Sequence, residues 1–465
     1  MEVKATPLTC AGCGAQQALD EPLPFRCPNA GRVDDSDHVL ARGLELEGTG
    51  LPAEGEPNPF LRFRRLLYSW HWAQRAGLSD ADYARTVDEV DAALATTSGS
   101  GFAETPYARH DALASEVGVA ALWVKDETGG VGGSHKARHL MGPLLQIEVA
   151  RRAGRLDRPP RLAIASCGNA ALAAAELARA RGLALCVFVP ERADASVLAA
   201  LEGRGAEVVR CRRPPSERGD PCVHRFRESL GGRTLPFTCQ GSENALVIEG
   251  GATLGWELAA QHAALSPRPL ERLVVQVGGG ALASACALAL REARALGVVR
   301  ELPRIHTVQT EGGHPLERAW RRVAARIVRR LPAGPPASDD RTLAGWICEY
   351  AGAELLESQL EHAARHRSEF MWPWESEPRS VATGILDDET YDWHAVLRAM
   401  LETGGWPLVV SEETLVRAHE LARRATGTLV SVTGAAGLAG VLELQRRGAL
   451  SPDEHVAVLF TGAAR

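Results

Sequence analysis

The sequence predicts an α/β protein in which parallel sheets are covered by helices on both faces. Two observations predict this class. From about residue 105 onwards, short apolar runs typical of buried strands alternate with longer helical stretches. Turns rich in glycine and serine join several of these strands to the helix that follows. Ligands of such folds collect at the carboxyl ends of the strands, which is where these turns lie.

Bulk properties narrow the class of function. The chain has 465 residues, enough for two or three domains, and a net charge of -6 with 24% charged residues. No basic face emerges from this balance, which argues against a nucleic-acid or membrane-surface partner. The chain lacks a long apolar run, and its start lacks the apolar core of a signal peptide. We therefore expect a cytoplasmic protein that acts on a small molecule.

The amino-terminal part carries a partial metal-binding pattern. Cys10, Cys13 and Cys27 form a C-x2-C pair and a third cysteine, as at the opening of a zinc ribbon. Ala30 stands where a closing C-x2-C would place the fourth ligand. The residues able to complete the tetrahedron are one histidine and three aspartates: His38, Asp34, Asp35 and Asp37. The pattern fits either a zinc site or a knuckle that has lost its metal.

The elements follow in chain order. Residues 57–95 are predicted to be helical, with Ser79 as an N-cap and a break at 97–101. The predicted strands are 120–124, 161–165, 184–189, 207–210, 273–277, 305–309, 407–410, 429–432 and 455–460. The predicted helices are 137–152, 169–180, 194–203, 250–264, 281–295, 316–330, helices within 341–365, 393–403, 411–426 and, after a turn at 433–436, a helix that ends at Arg447.

One lysine stands out at the end of the glycine-rich run 129–136. The chain has three lysines, Lys4, Lys125 and Lys136, although arginine is abundant. A primary amine can condense with an aldehyde, whereas a guanidinium cannot, so Lys136 suits imine chemistry. The glycines let the backbone approach a ligand closely. Taken alone, the loop also fits a mobile surface turn with a solvated lysine.

Two further strand-to-helix turns offer free backbone amides, which bind anions. The first suits a carboxylate and consists of Ser166, Cys167, Gly168, Asn169 and Ala170. The second suits a phosphate, aided by the helix dipole, and consists of Gly278, Gly279, Gly280, Ala281 and Leu282. A lysine, a carboxylate pocket and a phosphate cradle together meet the needs of pyridoxal phosphate bound with an amino acid.

At this point the chain resembles the tryptophan-synthase-β family of pyridoxal-phosphate enzymes (fold type II), in particular the threonine synthase and threonine/serine dehydratase branch. The segments that carry the resemblance, in order, are 125–127, 134–136, 166–171, 248–250 with Thr253 and Glu257, 278–282, 380–385, 410–413, 433–440 and 461–462. The resemblance implies two doubly wound parallel-sheet domains. They are a large one (101–160 and 245–465) and a small mobile one (161–244), after an extension at 1–100 with a cysteine knuckle and helices. We also expect a homodimer.

The resemblance also implies roles for residues. Lys136 would form the Schiff base and then act as the base at Cα. Asn169 would bind the 3-oxygen of the cofactor, Ser166 and the backbone of 167–170 the substrate carboxylate, 278–282 the phosphate, and Thr461 the pyridine nitrogen. A neutral hydroxyl at that nitrogen favours β-elimination or replacement over transamination.

The resulting prediction is a pyridoxal-phosphate lyase that eliminates a β leaving group from a small amino acid. The alternative is a threonine-synthase-like β- or γ-replacement enzyme. Replacement on a phosphorylated substrate should need a second cationic cluster, and Arg138 and His139 are the cations we expect near the site. His135 either assists a leaving group or packs against the ring or the backbone.

Two rival interpretations belong to other classes. Gly278-x-Gly280-x-x-Ala283 fits a dinucleotide fingerprint and hence a nicotinamide oxidoreductase. That motif requires an acidic residue about 20 residues on. The next strand ends only at Glu311, too far along, and Lys136 would be left without a role. The second rival is a non-catalytic protein that keeps the fold as a binding module, and the presence of Lys136 and Thr461 argues against it.

Overall fold

The computed structural model describes residues 3–46, 50–52, 55–214 and 217–464. The strands are β1 (Lys4–Ala5), β2 (Thr9–Cys10), β3 (Leu40–Ala41), β4 (Leu44–Glu45), β5 (Tyr107–Arg109), β6 (Ala121–Asp126), β7 (Arg161–Ala165), β8 (Ala184–Pro190), β9 (Glu207–Cys211), β10 (Thr234–Pro236), β11 (Arg272–Gln276), β12 (Arg304–Thr310), β13 (Pro407–Val410) and β14 (His455–Phe460). The helices are α1 (Pro59–Arg62), α2 (Tyr68–Arg75), α3 (Asp80–Ser98), α4 (Asp111–Val117), α5 (Lys136–Arg152), α6 (Asn169–Ala180), α7 (Ala195–Glu202), α8 (Pro221–Ser229), α9 (Leu246–Leu265), α10 (Ala281–Ala295), α11 (Pro315–Val328), α12 (Asp340–Tyr350), α13 (Ala353–Arg365), α14 (Trp393–Thr403), α15 (Glu412–Thr426) and α16 (Val432–Arg446).

Two sheets confirm the predicted α/β class. The six-stranded sheet has the order β13-β12-β11-β14-β6-β5 and is parallel except for β5, which runs antiparallel to β6. The four-stranded sheet has the order β10-β7-β8-β9 and is parallel throughout. Every residue of β11 and β14 is buried, as expected for central strands covered on both faces. The assignment of 161–244 as a small mobile domain stays a prediction.

The register of the central strands brings distant sequence motifs together. β14 pairs with β6 so that Phe460 lies opposite Asp126, and β11 pairs with β14 on its other edge. The chain that leaves β14 therefore emerges beside the chain that leaves β6 and leads into α5. This places the turn at Thr461 next to the lysine loop, although more than 300 residues separate them in the sequence.

One predicted strand is wrong. Residues 429–432 form no strand, and only Val430 makes an isolated bridge, to Ala463. Ser431 instead caps α16, its side chain accepting a hydrogen bond from the N–H of Gly434 at 3.0 Å. The predicted turn at 433–436 is consequently the first turn of this helix. The helical region 341–365 is two helices, α12 and α13, which meet at 351–352.

The amino-terminal extension packs against the rest of the chain. Ser79 caps α3, as predicted, in a reciprocal capping box with Asp82. Phe60, Phe63 and Trp72 are buried in a core that also includes residues of α5, α6 and α9. Within the described part of the chain, no helix is long and apolar enough to cross a bilayer.

Candidate active site

A single cavity of about 680 Å³ opens where the two sheets face each other. Lys136 and the glycines 278–280 both line it, so one ligand can touch both. The other predicted site residues line the same cavity: Ser166, Cys167, Gly168, Asn169, Ala170, Ala281, Leu282 and Thr461. The structure thus brings together the lysine, the carboxylate loop and the phosphate loop that the sequence places on three separate turns.

The closing turn at 461–463 holds the lysine loop in place. The N–H of Ala463 donates to the carbonyl oxygen of Gly133 at 2.9 Å, and the N–H of His135 donates to that of Thr461 at 3.2 Å. Gly132 and Gly133 adopt φ of 66° and 69°, where glycine avoids the strain of a side chain. These contacts fix the backbone immediately before Lys136, the first residue of α5.

Asn169 and Thr461 converge on this position. A Cβ atom added to Gly462 would lie 2.8 Å from Nδ2 of Asn169, so the closing turn and the start of α6 are in close contact. Nε2 of Gln276 donates to Oγ1 of Thr461 at 2.9 Å. Because an amide N–H occupies a lone pair of that oxygen, the threonine hydroxyl keeps its own proton for an acceptor in the cavity.

Gln276 is a residue of the cavity wall that sequence reasoning missed. It is the last residue of β11, two residues before the triple glycine, and its side chain is 4% exposed. Its Nε2 also lies 2.9 Å from the carbonyl oxygen of Gly434 and 3.2 Å from that of Leu459. A polar side chain at the end of an otherwise apolar strand was the available signal.

The second turn has the geometry of an anion cradle. Gly280 is the N-cap of α10 with φ 96°, and the helix that follows is 15 residues long. Cβ atoms added to Gly278 or Gly280 would approach neighbouring side chains to 2.4 and 3.0 Å. The exposed amides and the positive end of the helix dipole therefore face space that side chains on this loop would fill.

The carboxylate loop lies at the start of α6. The N–H of Gly168 donates to Oγ of Ser166 at 3.3 Å, and Gly168 precedes the first helical residue, Asn169. The Cys167 residue is exposed, although the cavity wall around its thiol raises the pKa of that group through desolvation. The loop therefore presents short side chains and helix-terminal amides to the cavity.

His135 is neutral and has a defined tautomer. Burial, reinforced by the charge of Lys136, holds the pKa of His135 well below its ordinary value. Its Nδ1 lies 2.9 Å from the carbonyl oxygen of Thr461 and must carry the proton, because a carbonyl oxygen accepts. Its Nε2 is buried without a partner among the described residues. His135 thus packs against the closing turn while keeping a free acceptor.

The expectation that Arg138 and His139 supply cations near the site is wrong in one respect: neither lines the cavity. Arg138 is buried against Glu127 and Glu257, at 2.8 Å from each. His139 lies beneath α9, its Nδ1 2.7 Å from the carbonyl oxygen of Val247. Burial and the nearby charge of Lys136 lower the pKa of His139 to about 3, so it carries no charge at neutral pH.

The chain matches the family described as "Pyridoxal-phosphate dependent enzyme" over residues 100–366, more than half of its length. The chain belongs to this family. The curated relatives of this pyridoxal-phosphate enzyme include the threonine synthase of Methanocaldococcus jannaschii, 24% identical over 77% of this chain and 74% of that protein. They also include the threonine synthase of Methanosarcina acetivorans, 27% identical over the same shares of the two chains.

Solved structures share the fold of this pyridoxal-phosphate enzyme, which is fold type II. A threonine deaminase from the organism abbreviated T.th. superposes with a TM-score of 0.54 at 23% identity, covering 82% of this chain and 98% of that chain. The diaminopropionate ammonia lyase of Escherichia coli superposes with a TM-score of 0.57 at 16% identity, covering 82% of this chain and 88% of that chain. At these identities the likeness concerns the fold alone.

The residues of the cavity fit pyridoxal phosphate. The glycine cradle is open to a phosphate, the Thr461 hydroxyl proton is free for the ring nitrogen, and Lys136 lines the same space. We expect Gly280→Ala to lower cofactor affinity at least about tenfold, since the added methyl would force a strained φ worth roughly 1–2 kcal/mol on the cradle. Titration of the cofactor-free protein with pyridoxal phosphate measures this.

Gly297→Ala is the matched control for Gly280→Ala. Gly297 also has positive φ, 77°, but an added Cβ would meet nothing within 4 Å. Both variants suffer the backbone strain, and only Gly280 lies on the cavity. Equal cofactor affinity in the two variants would contradict the cradle.

Proposed function

We propose that the protein is a pyridoxal-phosphate lyase that eliminates a β substituent from a small amino acid. The observation that carries this proposal is the cavity shared by Lys136, the carboxylate loop, the glycine cradle and Thr461. When bound, the cofactor supplies an electron sink that acidifies the Cα proton of an amino acid. The residues of the chain then have to hold the substrate and move that proton.

Each element has a proposed task. The amine of Lys136 accepts the proton from Cα, because it is the cavity's primary amine among the described residues. Ser166 and the amides of 167–170 hold the substrate carboxylate at the start of α6. Asn169 and the hydroxyl of Thr461 orient the ring, and the amides of 278–282 hold the phosphate. Thr461 presents a neutral group to the ring nitrogen, which suits elimination rather than transamination.

The charges of the cavity favour elimination over replacement on a phosphorylated substrate. The acidic residues that line it are Glu191, Asp220, Glu377, Asp387 and Asp388, and its arginines, among the described residues, are Arg192 and Arg213. Arg213 is paired with Asp388 at 2.9 Å. Burial raises the pKa of Asp387 to about 6, so this carboxyl is mostly ionised at neutral pH. A second phosphate would meet net negative charge here.

Replacement remains the second candidate because the curated relatives at 24% and 27% identity are threonine synthases. The two candidates release different products. We expect the holoenzyme to release ammonia and a 2-oxo acid from serine, threonine or 2,3-diaminopropionate. We expect little phosphate from O-phosphoserine or O-phosphohomoserine. Phosphate release faster than ammonia release across this panel would favour replacement and contradict the proposal.

A further inference from the structure

The cysteine knuckle has the dimensions of a tetrahedral zinc site. Cys10, Cys13, Cys27 and His38 place their ligand atoms within 4.8 Å of one another. Sγ of Cys13 lies 3.7 Å from Sγ of Cys27, and Nδ1 of His38 lies 3.6 Å from Sγ of Cys27 and 3.8 Å from Sγ of Cys10. A tetrahedron with Zn–S of about 2.3 Å and Zn–N of about 2.0 Å has edges of roughly 3.8 Å between sulfurs and 3.6 Å between sulfur and nitrogen.

The surroundings of the four atoms are those of a metal site. Nε2 of His38 lies 3.1 Å from Oδ1 of Asp34, which orients the ring so that Nδ1 faces the three thiols. Asn29 approaches two of these thiols, its backbone N–H at 3.3 Å from Sγ of Cys27 and its Nδ2 at 3.5 Å from Sγ of Cys13. Carboxylate–histidine pairs and donors to sulfur are typical outer partners of zinc ligands.

The loop that carries His38 is connected to the wall of the active cavity. The N–H of Asp37 donates to the carbonyl oxygen of Ala364 at 2.7 Å, and the N–H of Arg367 donates to that of Asp35 at 2.9 Å. The Arg367 guanidinium lies 3.3 Å from the carboxylate of Asp37 and also binds Glu389. Glu389 directly follows Asp387 and Asp388, which line the cavity.

We propose that Cys10, Cys13, Cys27 and His38 bind one Zn²⁺ ion and that this ion fixes loop 34–38 as an anchor for the cavity segment 387–392. Three thiolates and one imidazole form a closed structural site with no position left for a substrate. The ion holds His38, the adjacent Asp37 holds Arg367, and Arg367 holds Glu389. The amino-terminal module thereby stabilises one wall of the catalytic cavity without contributing a catalytic group.

Metal analysis of the full-length protein tests the site. We expect one zinc per chain in the wild type and in Cys348→Ser, an exposed free cysteine that serves as the control, and less than about a tenth of that in Cys13→Ser. Cobalt substitution should give a thiolate charge-transfer band in the wild type but not in Cys13→Ser. Asp34→Ala keeps all four ligands and should lower zinc affinity about 10- to 100-fold. A zinc-free wild type after reconstitution, or a Cys13–Cys27 disulfide in its place, would overturn the site.

Amide hydrogen exchange tests the anchor independently of activity. Loss of zinc in Cys13→Ser should raise exchange at 364–371 and 387–392 several-fold while leaving the central strands β11 and β14 unchanged. Cys348→Ser should exchange like the wild type in all of these segments. Unchanged exchange at 387–392 in a zinc-free Cys13→Ser protein would overturn the anchoring role.

Discussion

Replacing Lys136 by alanine is expected to abolish turnover and the visible absorbance that pyridoxal phosphate gives when bound to a lysine amine. The proposed base at Cα would be lost, and general-base catalysis alone contributes about 10²- to 10⁴-fold. Loss of the covalent attachment adds to that figure. The other lysines of the chain cannot substitute, because Lys125 is buried in an ion pair with Glu257 at 2.7 Å and Lys4 lies in β1 of the amino-terminal extension.

Absorbance spectra and ammonia release measure both effects on the same sample. Lys4→Ala is the matched control, since it also removes one amine but from an exposed position in β1, and it should behave like the wild type. Retained turnover by Lys136→Ala would refute the proposed lyase chemistry. Loss of the spectrum in Lys4→Ala would show that the assay reports on folding instead.

The local motifs of the site were predictable from the sequence because each is a short run with its own chemistry. The glycines 278–280 and the lysine of 129–136 signal close ligand approach and imine formation within a few residues. The zinc ligand His38 could only be one of four candidates, because the choice depends on how the loop folds back on Cys10. Its selection required the antiparallel pairing of β2 with β3.

Features that depend on long-range pairing were not predictable. Arg138 follows Lys136 by two residues and was expected near the cavity, yet its partner Glu257 comes from α9, 119 residues away. Gln276 reads as one more strand residue until the closing turn is placed beside it. The short elements α4, α8, β5 and β10 were missed, although Asp220 before Pro221 is a helix-start signal that caps α8.

Replacing Arg138 by methionine is expected to lower the free energy of unfolding by about 3–5 kcal/mol, the cost of leaving a buried charge uncompensated. The guanidinium binds Glu127 through Nε at 2.8 Å and Glu257 through Nη1 and Nη2 at 2.8 and 3.0 Å. The side chains of Arg138, Glu127 and Glu257 are 3%, 1% and 1% exposed. Glu257 keeps Lys125 as a partner in this variant, whereas Glu127 loses its cation.

Urea unfolding of the wild type and of three variants isolates this cost. Arg109→Met removes an exposed pair with Asp111 and should change stability by no more than about 1 kcal/mol. Arg138→Met combined with Glu127→Gln should recover part of the loss, because no unpaired carboxylate then remains buried. A loss below about 1 kcal/mol in Arg138→Met alone would contradict the network's stabilising role.

The pH dependence of the same variant provides a second test. Burial opposes ionisation of Glu257, but the charges of Arg138 and Lys125 prevail and lower the pKa of that carboxyl below 4.5. A carboxyl with a lowered pKa in the folded state stabilises the protein above its unfolded-state pKa, and this contribution disappears as the pH falls through the folded-state value. The stability gap between wild type and Arg138→Met should therefore be constant near neutral pH and shrink below about pH 4.5. A gap that widens on acidification would mean that Arg138 stabilises the fold by packing rather than by charge.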